Sequence, residues 1–279
     1  PIETHCLLMS AFRTFEVPTS EIDRMKQWLL NQKRTQRWET EPATLNAIYT
    51  LMLTGSDWLS EQNACAVEWG NLHFTTEQGE AGTGYLKRTI TQQEMTRQME
   101  QPIKLNKTGK TPAWGAVYRQ YFQGIDQVSK HKSALHIEKK FFVEENRDNT
   151  PQLRPLQTGE TLKVGDKVVV RLVIRTDRDM DYVVLKDLRA GCFEPVNQLS
   201  GVEIRNGIAY YRSPKDVSEQ FFFERLPQGT YVLEYGSYVS RSGNFTGGIS
   251  TLQCLYAPEF VSHTEGCRLA VTPTTGTIP

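Results

Sequence analysis

The feature that most constrains the fold is the alternation of apolar and charged residues in "KVVVRLVIRT", residues 167–176. Val170, Leu172 and Ile174 fall on one side of an extended chain, whereas Arg171 and Arg175 fall on the other. A period of two is the pattern of a β-strand with one buried face. The stretch therefore predicts a strand whose apolar face packs in the core and whose charged face contacts solvent.

Similar strands and turns fill the chain from about 134 to 273. Asn206-Gly207 stands between Ile204 and Ile208, which is typical of a two-residue hairpin turn. The region contains about seven short alternating stretches with frequent turns and no long helix. This organisation predicts an antiparallel, immunoglobulin-like β-sandwich over residues 133–279.

Residues 1–60 show helical periodicity instead. Apolar residues recur at helical spacing in three stretches, and Pro42 and Gly55 stand where one of these helices would begin and end. The predicted apolar stripes are Ile22, Met25 and Leu29 in one helix, and Leu45, Ile48, Tyr49 and Met52 in the next. Three amphipathic helices cannot enclose a large core, so we expect the tail of an all-helical domain.

Residues 61–132 have the character of a small β unit. "CAVEWGNLHFTT", "GYLKRTIT" and "PIKLNKT" are short, partly alternating and separated by turn residues. The aromatic stretch "PAWGAVYRQYFQGIDQV", residues 112–128, predicts a further strand or two. The resulting fold class is mainly β with an N-terminal α-helical segment.

The composition argues against several functions. The 279 residues include 32 Lys plus Arg and 32 Asp plus Glu, so the net charge is zero and no nucleic-acid-binding surface is expected. No apolar run reaches the roughly 18 residues of a membrane span. Because the sequence starts at Pro1 without a signal peptide, we expect a fragment of a longer protein.

The cysteines do not form a disulfide framework, because they are scattered and include no CxxC pair. They are Cys6, Cys65, Cys192, Cys254 and Cys267. Cys254 and Cys267 alternate with apolar residues, so we expect both to pack in strands as small apolar side chains. A Cys254–Cys267 disulfide stays open as an alternative for an exported protein. His263 lies between them, but Cys-x8-His-x3-Cys is not a zinc spacing.

The stretch "RAGCFEPV", residues 189–196, resembles the start of the sequence that forms an internal thioester in some protease-trapping proteins. That bond joins a cysteine sulfur to a glutamine side chain three residues later. The residue three after Cys192 is Pro195, which has no side-chain carbonyl, and Glu194 comes one residue too early. We therefore expect a strand end and turn here, with a packed Cys192 and no thioester.

Two other patterns resemble a thioester motif and a calcium loop, but each lacks residues that the motif requires. Cys65 and Glu68 have the thioester spacing, but a carboxylate is a poor acyl donor, so an ordinary strand cysteine is expected. A triplet of alternating aspartates, Asp177, Asp179 and Asp181, begins like a calcium loop. Tyr182 and Leu188 then occupy the positions of the required glycine and glutamate, so the triplet predicts a solvated acidic turn.

No catalytic motif is present, whether GxSxG, HExxH or a P-loop. The histidines are scattered away from any Ser/Asp set: His5, His73, His131, His136 and His263. We therefore predict no catalytic, cofactor-binding or metal-binding residue and no enzyme activity. The residues alone indicate a binding or scaffold protein.

The helical stretch "WLLNQKRTQRWETEPATLNAIYTLMLTGSDWL", residues 28–59, closely resembles the end of the thioester (complement-like) domain of bacterial α2-macroglobulins. In that family a helical barrel ends with a Trp-rich, Thr-x-x-Ala helix. The residues that carry the resemblance are Trp38, Glu39, Thr40, Thr44 and Ala47.

The β regions are similar to the domains that follow the barrel in this family, in its Bacteroidetes type. Residues 112–123 look like the small β unit found at the position of a CUB domain. Residues 162–196, 221–235 and 256–260 resemble the last macroglobulin-like domain.

The resemblance implies the non-catalytic C-terminal part of a broad-spectrum protease inhibitor, or endopeptidase trap, of the cell envelope. Residues 1–60 would be the last helices of the α/α barrel, 61–132 the β unit and 133–279 the terminal macroglobulin-like domain. The bait region and thioester would precede this chain, so no functional residue of the family is assigned here.

The expected partners are the rest of the parent chain and, through its upstream bait region, target proteases. The terminal domain would pack on the thioester domain and shield its reactive surface until cleavage. The expected location is periplasmic or extracellular, with lipid anchoring of the parent left open.

The alternative is a β-sandwich ligand- or carbohydrate-binding module attached to a helical-barrel enzyme. Such a module would need an exposed aromatic platform. The available strand tyrosines are Tyr210, Tyr211, Tyr231, Tyr235 and Tyr238. Aromatic residues are also common in strand cores, so their presence alone does not favour this alternative.

Overall fold

The computed structural model of the protein describes residues 1–55, 65–76, 85–108, 113, 115–205 and 207–273. The chain forms two compact units. Unit 1 contains residues 1–26 and 40–120, and unit 2 contains residues 27–39 and 121–279.

The predicted N-terminal helices are confirmed. The helices of the described residues are α1 (Ile2–Thr14), α2 (Thr19–Thr35), α3 (Glu41–Thr54) and α4 (Gln92–Gln98). Helix α3 begins where the Thr40 side chain accepts a hydrogen bond from the Ala43 amide at 3.1 Å, with Pro42 in the first turn. It ends at Gly55, as predicted.

Helix α3 packs against α1 through small side chains. Ala43, Ala47 and Thr50 of α3 are buried, as are Cys6 and Met9 of α1. Burial raises the pKa of the Cys6 thiol, so this cysteine is a core residue of the helix pair.

The apolar stripe predicted for α3 lies on one face of the helix, but that face is exposed. Leu45 and Met52 expose 68% and 76% of their surfaces, and Ile48 and Tyr49 are exposed as well. The spacing correctly grouped these residues. It did not reveal that the Ala/Thr face, which allows closer approach of two helices, is the one that packs.

Unit 1 also contains a three-stranded antiparallel sheet in the order β2-β1-β3. Its strands are β1 (Cys65–Trp69), β2 (Leu72–Thr75) and β3 (Ile103–Lys107). They confirm the strands predicted in "CAVEWGNLHFTT" and "PIKLNKT". The strand predicted in "GYLKRTIT" is wrong for residues 85–91, which have no regular structure before α4.

The strand predicted in the aromatic stretch 112–128 is also wrong for the residues that are described there. Residues 115–124 form no helix or strand, and a short 3-10 turn follows at Ile125–Gln127. Tyr118, Tyr121 and Phe122 are exposed. A strand needs a neighbouring strand to pair its backbone groups, and no described strand pairs with residues 115–124.

Unit 2 is built mostly from strands. They are β4 (Leu135–Arg147), β5 (Thr150–Pro155), β6 (Thr161–Lys163), β7 (Lys167–Thr176), β8 (Met180–Leu188), β9 (Phe193–Pro195), β10 (Gly201–Arg205), β11 (Ile208–Lys215), β12 (Ser218–Leu226), β13 (Gly229–Val239), β14 (Gly243–Thr246), β15 (Ser250–Cys254), β16 (Val261–His263) and β17 (Arg268–Thr272).

These strands form two large sheets and one small sheet. The order is β10-β11-β12-β8-β15-β16 in the first and β5-β4-β7-β13-β9 in the second. Both are antiparallel throughout the described pairs, whereas the small sheet β14-β17-β6 pairs β6 and β17 in parallel. The predicted mainly β, sandwich-type fold class is confirmed.

The alternation of apolar and charged residues in β7 determines the main core. Val170, Leu172 and Ile174 of β7 are buried in one cluster with residues of the facing sheet, such as Leu185 and Phe223. The arginines of β7 lie on the other face, where Arg171 pairs with Glu234 of β13. One face of β7 is therefore core and the other is surface, as the period of two predicts.

The predicted hairpin is confirmed in its position. Strands β10 and β11 pair with Arg205 opposite Ile208, so the turn has two residues. Gly207 has φ +78°, a conformation that glycine adopts without strain. Asn206 lies outside the described residues.

Candidate functional site

Cys192, the cysteine of the thioester-like stretch, is a core residue. It is fully buried in a second apolar cluster with Ala190, Phe193 and Val239. Burial raises the pKa of its thiol to about 11. Pro195 ends the short strand β9, as predicted, so this stretch is a packed turn and strand end.

Cys65 and Glu68 do not meet either. They lie in the same strand, β1, three residues apart, and such positions point to opposite faces of a sheet. Glu68 instead stands opposite His73 of β2. The thioester spacing is therefore coincidental at this position too.

Cys254 is buried in β15, as predicted for a strand core residue. Cys267 is half-buried and lies immediately before β17. Both thiols are free, so these two cysteines do not form a disulfide.

The five tyrosines of the carbohydrate-binding alternative do not form one platform. Tyr210 and Tyr235 are buried, and the Tyr231 hydroxyl donates to the Pro227 carbonyl. Tyr211 and Tyr238 are exposed, but they lie on β11 and β13, which belong to different sheets. The arrangement does not favour a sugar-binding surface.

The aspartate triplet binds protein groups, and its members do not converge. The Asp177 carboxylate accepts from the neighbouring Arg178 guanidinium at 2.8 Å. Asp179 accepts from the Gln228 amide at 2.8 Å and from the Arg225 guanidinium at 3.2 Å. The triplet is a turn held by amide and guanidinium donors.

The third aspartate contributes to a polar contact that the sequence analysis did not predict. Asp181 Oδ2 accepts from the Arg37 amide at 2.9 Å, and the Asp179 carbonyl accepts from Gln36 Nε2 at 3.0 Å. Arg34, in the last turn of α2, pairs with Glu259. The end of α2 is thereby bound to the sandwich, and we call these contacts the α2 clasp.

Further charges surround the α2 clasp within unit 2. Arg225 lies 3.6 Å from Glu39, and Arg37 lies 3.9 Å from Glu224. These groups border a shallow, polar cavity of about 360 Å³. Because most of them are solvent-exposed, each ion pair is worth little alone, and the backbone-directed contacts determine the register of the segment.

The residues that carried the family resemblance have structural roles in both units. In unit 2, the Lys33 ammonium lies over the Trp38 ring at 5.6 Å, and Glu39 faces Arg225. In unit 1, Thr40 caps α3, and Ala47 is fully buried where α3 packs on α1. Their pattern therefore reflects the end of one helix and the cap and packed face of the next.

A buried ion pair joins the two large sheets. Lys139 of β4 and Asp187 of β8 lie 2.6 Å apart, with side chains that are 5% and 0% exposed. The ammonium also donates to the Leu188 and Gly247 carbonyls at 3.0 and 3.1 Å. The carboxylate accepts from the Tyr235 hydroxyl at 2.5 Å and from Ser250 at 2.8 Å.

A second buried group lies in the six-stranded sheet and its adjoining turn. Glu219 is fully buried and accepts from Arg189 at 2.8 Å and Arg212 at 2.7 Å. Arg212 also reaches Glu203 at 3.4 Å, which accepts from the Tyr210 hydroxyl at 3.0 Å. Burial, with the nearby Glu203, raises the pKa of Tyr210 to about 12.

We call these six charged residues the buried charge network, in which Glu203 lies at the rim with a side chain that is 25% exposed. The members are Lys139, Arg189, Arg212, Asp187, Glu203 and Glu219. Three are cations and three are anions, so their charges balance. Sequence reasoning missed them, although a signal existed: Asp187 and Glu219 share the strand phase of buried apolar residues such as Leu185 and Phe221.

Within the described part of the chain, no group of three or more His, Cys, Asp or Glu side chains is placed to hold a metal ion. None of the helices described is both long enough and apolar enough to span a membrane.

The fold defines a class of protein: an antiparallel β-sandwich preceded by helices. Residues 135–259 match the family described as Bacterial Alpha-2-macroglobulin MG10 domain. This match identifies residues 135–259 as a domain of that family, and the resemblance seen in the sequence is confirmed over these residues.

Solved structures of this family are similar to the chain at low identity. Salmonella alpha-2-macroglobulin reacted with methylamine is 15% identical with a TM-score of 0.44, covering 98% of this chain and 17% of that one. Trypsin-activated alpha-2-macroglobulin from Escherichia coli is 12% identical with a TM-score of 0.49, covering 98% and 18%. The chain thus spans less than a fifth of the length of these two proteins. A search of curated proteins finds no match.

Proposed function

We propose that this chain is the non-catalytic C-terminal part of an alpha-2-macroglobulin-like protease inhibitor of the cell envelope. In this proposal the sandwich packs on the helical thioester-type domain and shields its reactive surface until a protease cleaves the upstream bait region. The family match of residues 135–259 supports the class of protein. The domain limits 1–60, 61–132 and 133–279 are part of the proposal.

The observation that carries the proposal is the α2 clasp. It binds the last turn of a helix and the residues after it to one end of the sandwich, through Arg34, Gln36 and Arg37. Two of these contacts involve backbone atoms, which fix the position of the segment more closely than two flexible side chains would. A sandwich held to a helical segment in this way is suited to a packing role.

The exposed face of α3 supports the helical part of the proposal. Leu45, Ile48, Tyr49 and Met52 lie together on one side of the helix and are exposed. Contiguous exposed apolar surface of this kind is typical of a site that contacts another protein surface. We propose that further helices of an α/α barrel in the parent protein cover it.

The proposed partners are the remaining domains of the parent and, through its bait region, target proteases. The proposed location is the periplasm or the extracellular side of the envelope. Fractionation of cells that express the parent protein, followed by detection of this domain, tests the location. Recovery in the cytoplasmic fraction alone would contradict it.

The packing role is tested by opening the α2 clasp in the parent protein. In the variant Arg34→Ala/Asp181→Ala, amide hydrogen exchange of residues 34–39 should accelerate roughly fivefold, because the lost contacts are worth about 1 kcal/mol. Asp177→Ala is the matched control, since that carboxylate binds only its neighbour Arg178 among the contacts described for it.

Protease capture is then measured with both variants. The proposal expects the double variant to lose protection of the reactive surface before cleavage, seen as a shorter thioester lifetime if the parent has one and as weaker capture. The control should behave as the unaltered protein. If capture and lifetime are unchanged although exchange in residues 34–39 has accelerated, the shielding role is wrong.

A further inference from the structure

A segment that precedes the sandwich lies along the edge of the six-stranded sheet. We call residues 125–133 the edge strap. His131 and His263 of β16 exchange two backbone hydrogen bonds, at 3.0 and 3.1 Å, and Ser262 Oγ donates to the His131 carbonyl at 2.7 Å. The strap is therefore held at the edge strand by backbone contacts that do not depend on the imidazoles.

A second contact fixes the strap further along. The Gly266 amide donates to the Val128 carbonyl at 2.9 Å, and Arg268 Nε donates to Asp126 at 2.8 Å. A Cβ atom at position 266 would lie 1.8 Å from the Ile125 carbonyl oxygen, so only glycine allows this approach. The backbone on both sides of the histidine pair is thus determined by close contacts.

The two imidazoles are neighbours on this fixed backbone. Their ring centroids are 5.6 Å apart, and the ring planes are 28° apart. His263 Nδ1 lies 3.3 Å from the Thr264 carbonyl oxygen. In the tautomer that carries its proton on Nδ1, this nitrogen donates to the carbonyl and the lone pair is on Nε2. Metal-bound histidines commonly have this arrangement, with the other ring nitrogen held by a carbonyl.

The spacing of the rings suits a shared ion. Imidazole nitrogen binds Zn²⁺ at about 2.0–2.1 Å, so two imidazoles on one ion have ring centres about 4.5–5.5 Å apart for bond angles near 90–115°. The observed centroid distance of 5.6 Å is just above this range, so the rings must rotate out of their stacked arrangement for both nitrogens to reach one ion. Imidazole favours Zn²⁺, Cu²⁺ and Ni²⁺ over the oxygen-preferring Mg²⁺ and Ca²⁺.

We propose that His131 and His263 form a two-histidine site for a divalent transition-metal ion, represented by Zn²⁺, that fastens the edge strap to β16. The pair supplies only two protein ligands, whereas the metal-binding groups found absent among the described residues would have three or more. Water molecules would complete the coordination of the ion. The bound ion links two segments that are far apart in sequence, so it stabilises the folded state and reduces opening of the strap.

The test is calorimetric titration of the chain with ZnCl₂ in a Cys65→Ser/Cys267→Ser background, which removes the two thiols that are not buried. The expected result is one saturable site, with affinity lowered about tenfold or more by His131→Ala or by His263→Ala. His136→Ala is the matched control, because its ring contacts Glu138 instead and should leave zinc binding unchanged.

A second readout separates loss of a ligand from loss of fold. Zn²⁺ should slow amide exchange in residues 128–133 of the background protein, and Mg²⁺ should not. Neither alanine variant should show this slowing, although both should keep the unfolding transition of the metal-free protein. The proposal is overturned if zinc does not bind, or if both variants bind it as tightly as the background.

Discussion

Helix α3 and strand β7 have equally clear apolar periodicity in the sequence, yet only one of them buries its apolar residues. Leu172 of β7 is fully buried, whereas Leu45 and Met52 of α3 are largely exposed. Strand β7 lies between β4 and β13 and opposite a second sheet, while α3 packs on α1 through Ala43 and Ala47. Periodicity thus states which residues share a face, and the number of packed neighbours decides whether that face is covered.

The largest expected effect on stability comes from Lys139, a charged residue whose side chain is almost as buried as the apolar core of the sandwich. Replacing Lys139 by Met should destabilise the protein by about 3–5 kcal/mol, because Asp187 is left as an uncompensated buried charge. Urea denaturation monitored by far-UV circular dichroism of the β-sheets measures this. Lys139→Met/Asp187→Leu should regain part of the loss, and a single variant within about 0.5 kcal/mol of the unaltered protein would mean that the pair is not buried.

The next effect compares the two apolar stripes directly. Leu172→Ala should cost about 2–5 kcal/mol, through lost burial and the cavity that remains. Leu45→Ala in α3 should change the free energy of unfolding by less than about 0.5 kcal/mol, since its side chain is already in solvent. Equal losses at both positions would show that the α3 face is covered in the isolated chain.

Helix α3 should depend more on its cap than on its apolar face. Thr40→Ala should cost about 1 kcal/mol, because the Ala43 amide loses its acceptor. Thr44→Ala is the control, since its hydroxyl only donates back to the Thr40 carbonyl and should have a smaller effect. Thermal unfolding followed by circular dichroism at a helix-sensitive wavelength distinguishes them, and equal shifts would argue against the cap.

The smallest expected effect on stability concerns Cys65 of unit 1 and Cys192 of unit 2. These two cysteines should nevertheless differ clearly in their reactivity towards thiol reagents. At pH 8 a thiol reagent should label the half-buried Cys65 in the folded protein and should label Cys192 only after denaturation, because the thiolate is the reactive form. The pKa of Cys192 is raised from 9.0 to about 11. The stability gained by burying the protonated Cys192 thiol is therefore complete below pH 9 and is lost as the pH rises towards 11.

That prediction is checked by mass spectrometry of the labelled peptides. Rapid labelling of Cys192 in the folded protein, at a rate that methylamine changes, would contradict the assignment of this cysteine to the core. Labelling of Cys192 only above the denaturant midpoint would agree with it.

The sequence was most informative where local pattern and local structure coincide. The alternation in β7, the turn at Gly207 and the start of α3 at Thr40 follow from side-chain phase, glycine conformation and capping, which act over a few residues. The family resemblance added the class of the sandwich. None of these required knowledge of distant contacts.

Other features depend on residues that meet only in the folded chain. The α2 clasp joins Arg37 to Asp181, 144 positions later, and no spacing rule relates them. The exposed residues 115–124 were predicted as strand because aromatic content favours strands, but a strand also needs a pairing edge. The aspartate triplet had the spacing of a calcium loop, and its partners proved to be backbone amides and arginines.

The buried charge network also has a consequence for how the two sheets can slide. A shift of β4 along β8 by two residues keeps apolar side chains facing inward, so hydrophobic burial alone would tolerate it. The same shift moves the Lys139 ammonium by about 6.6 Å, at roughly 3.3 Å per residue, and leaves both charges in the core without partners. The ion pair therefore permits one alignment of the sheets, which makes the sandwich rigid against shear along its strands.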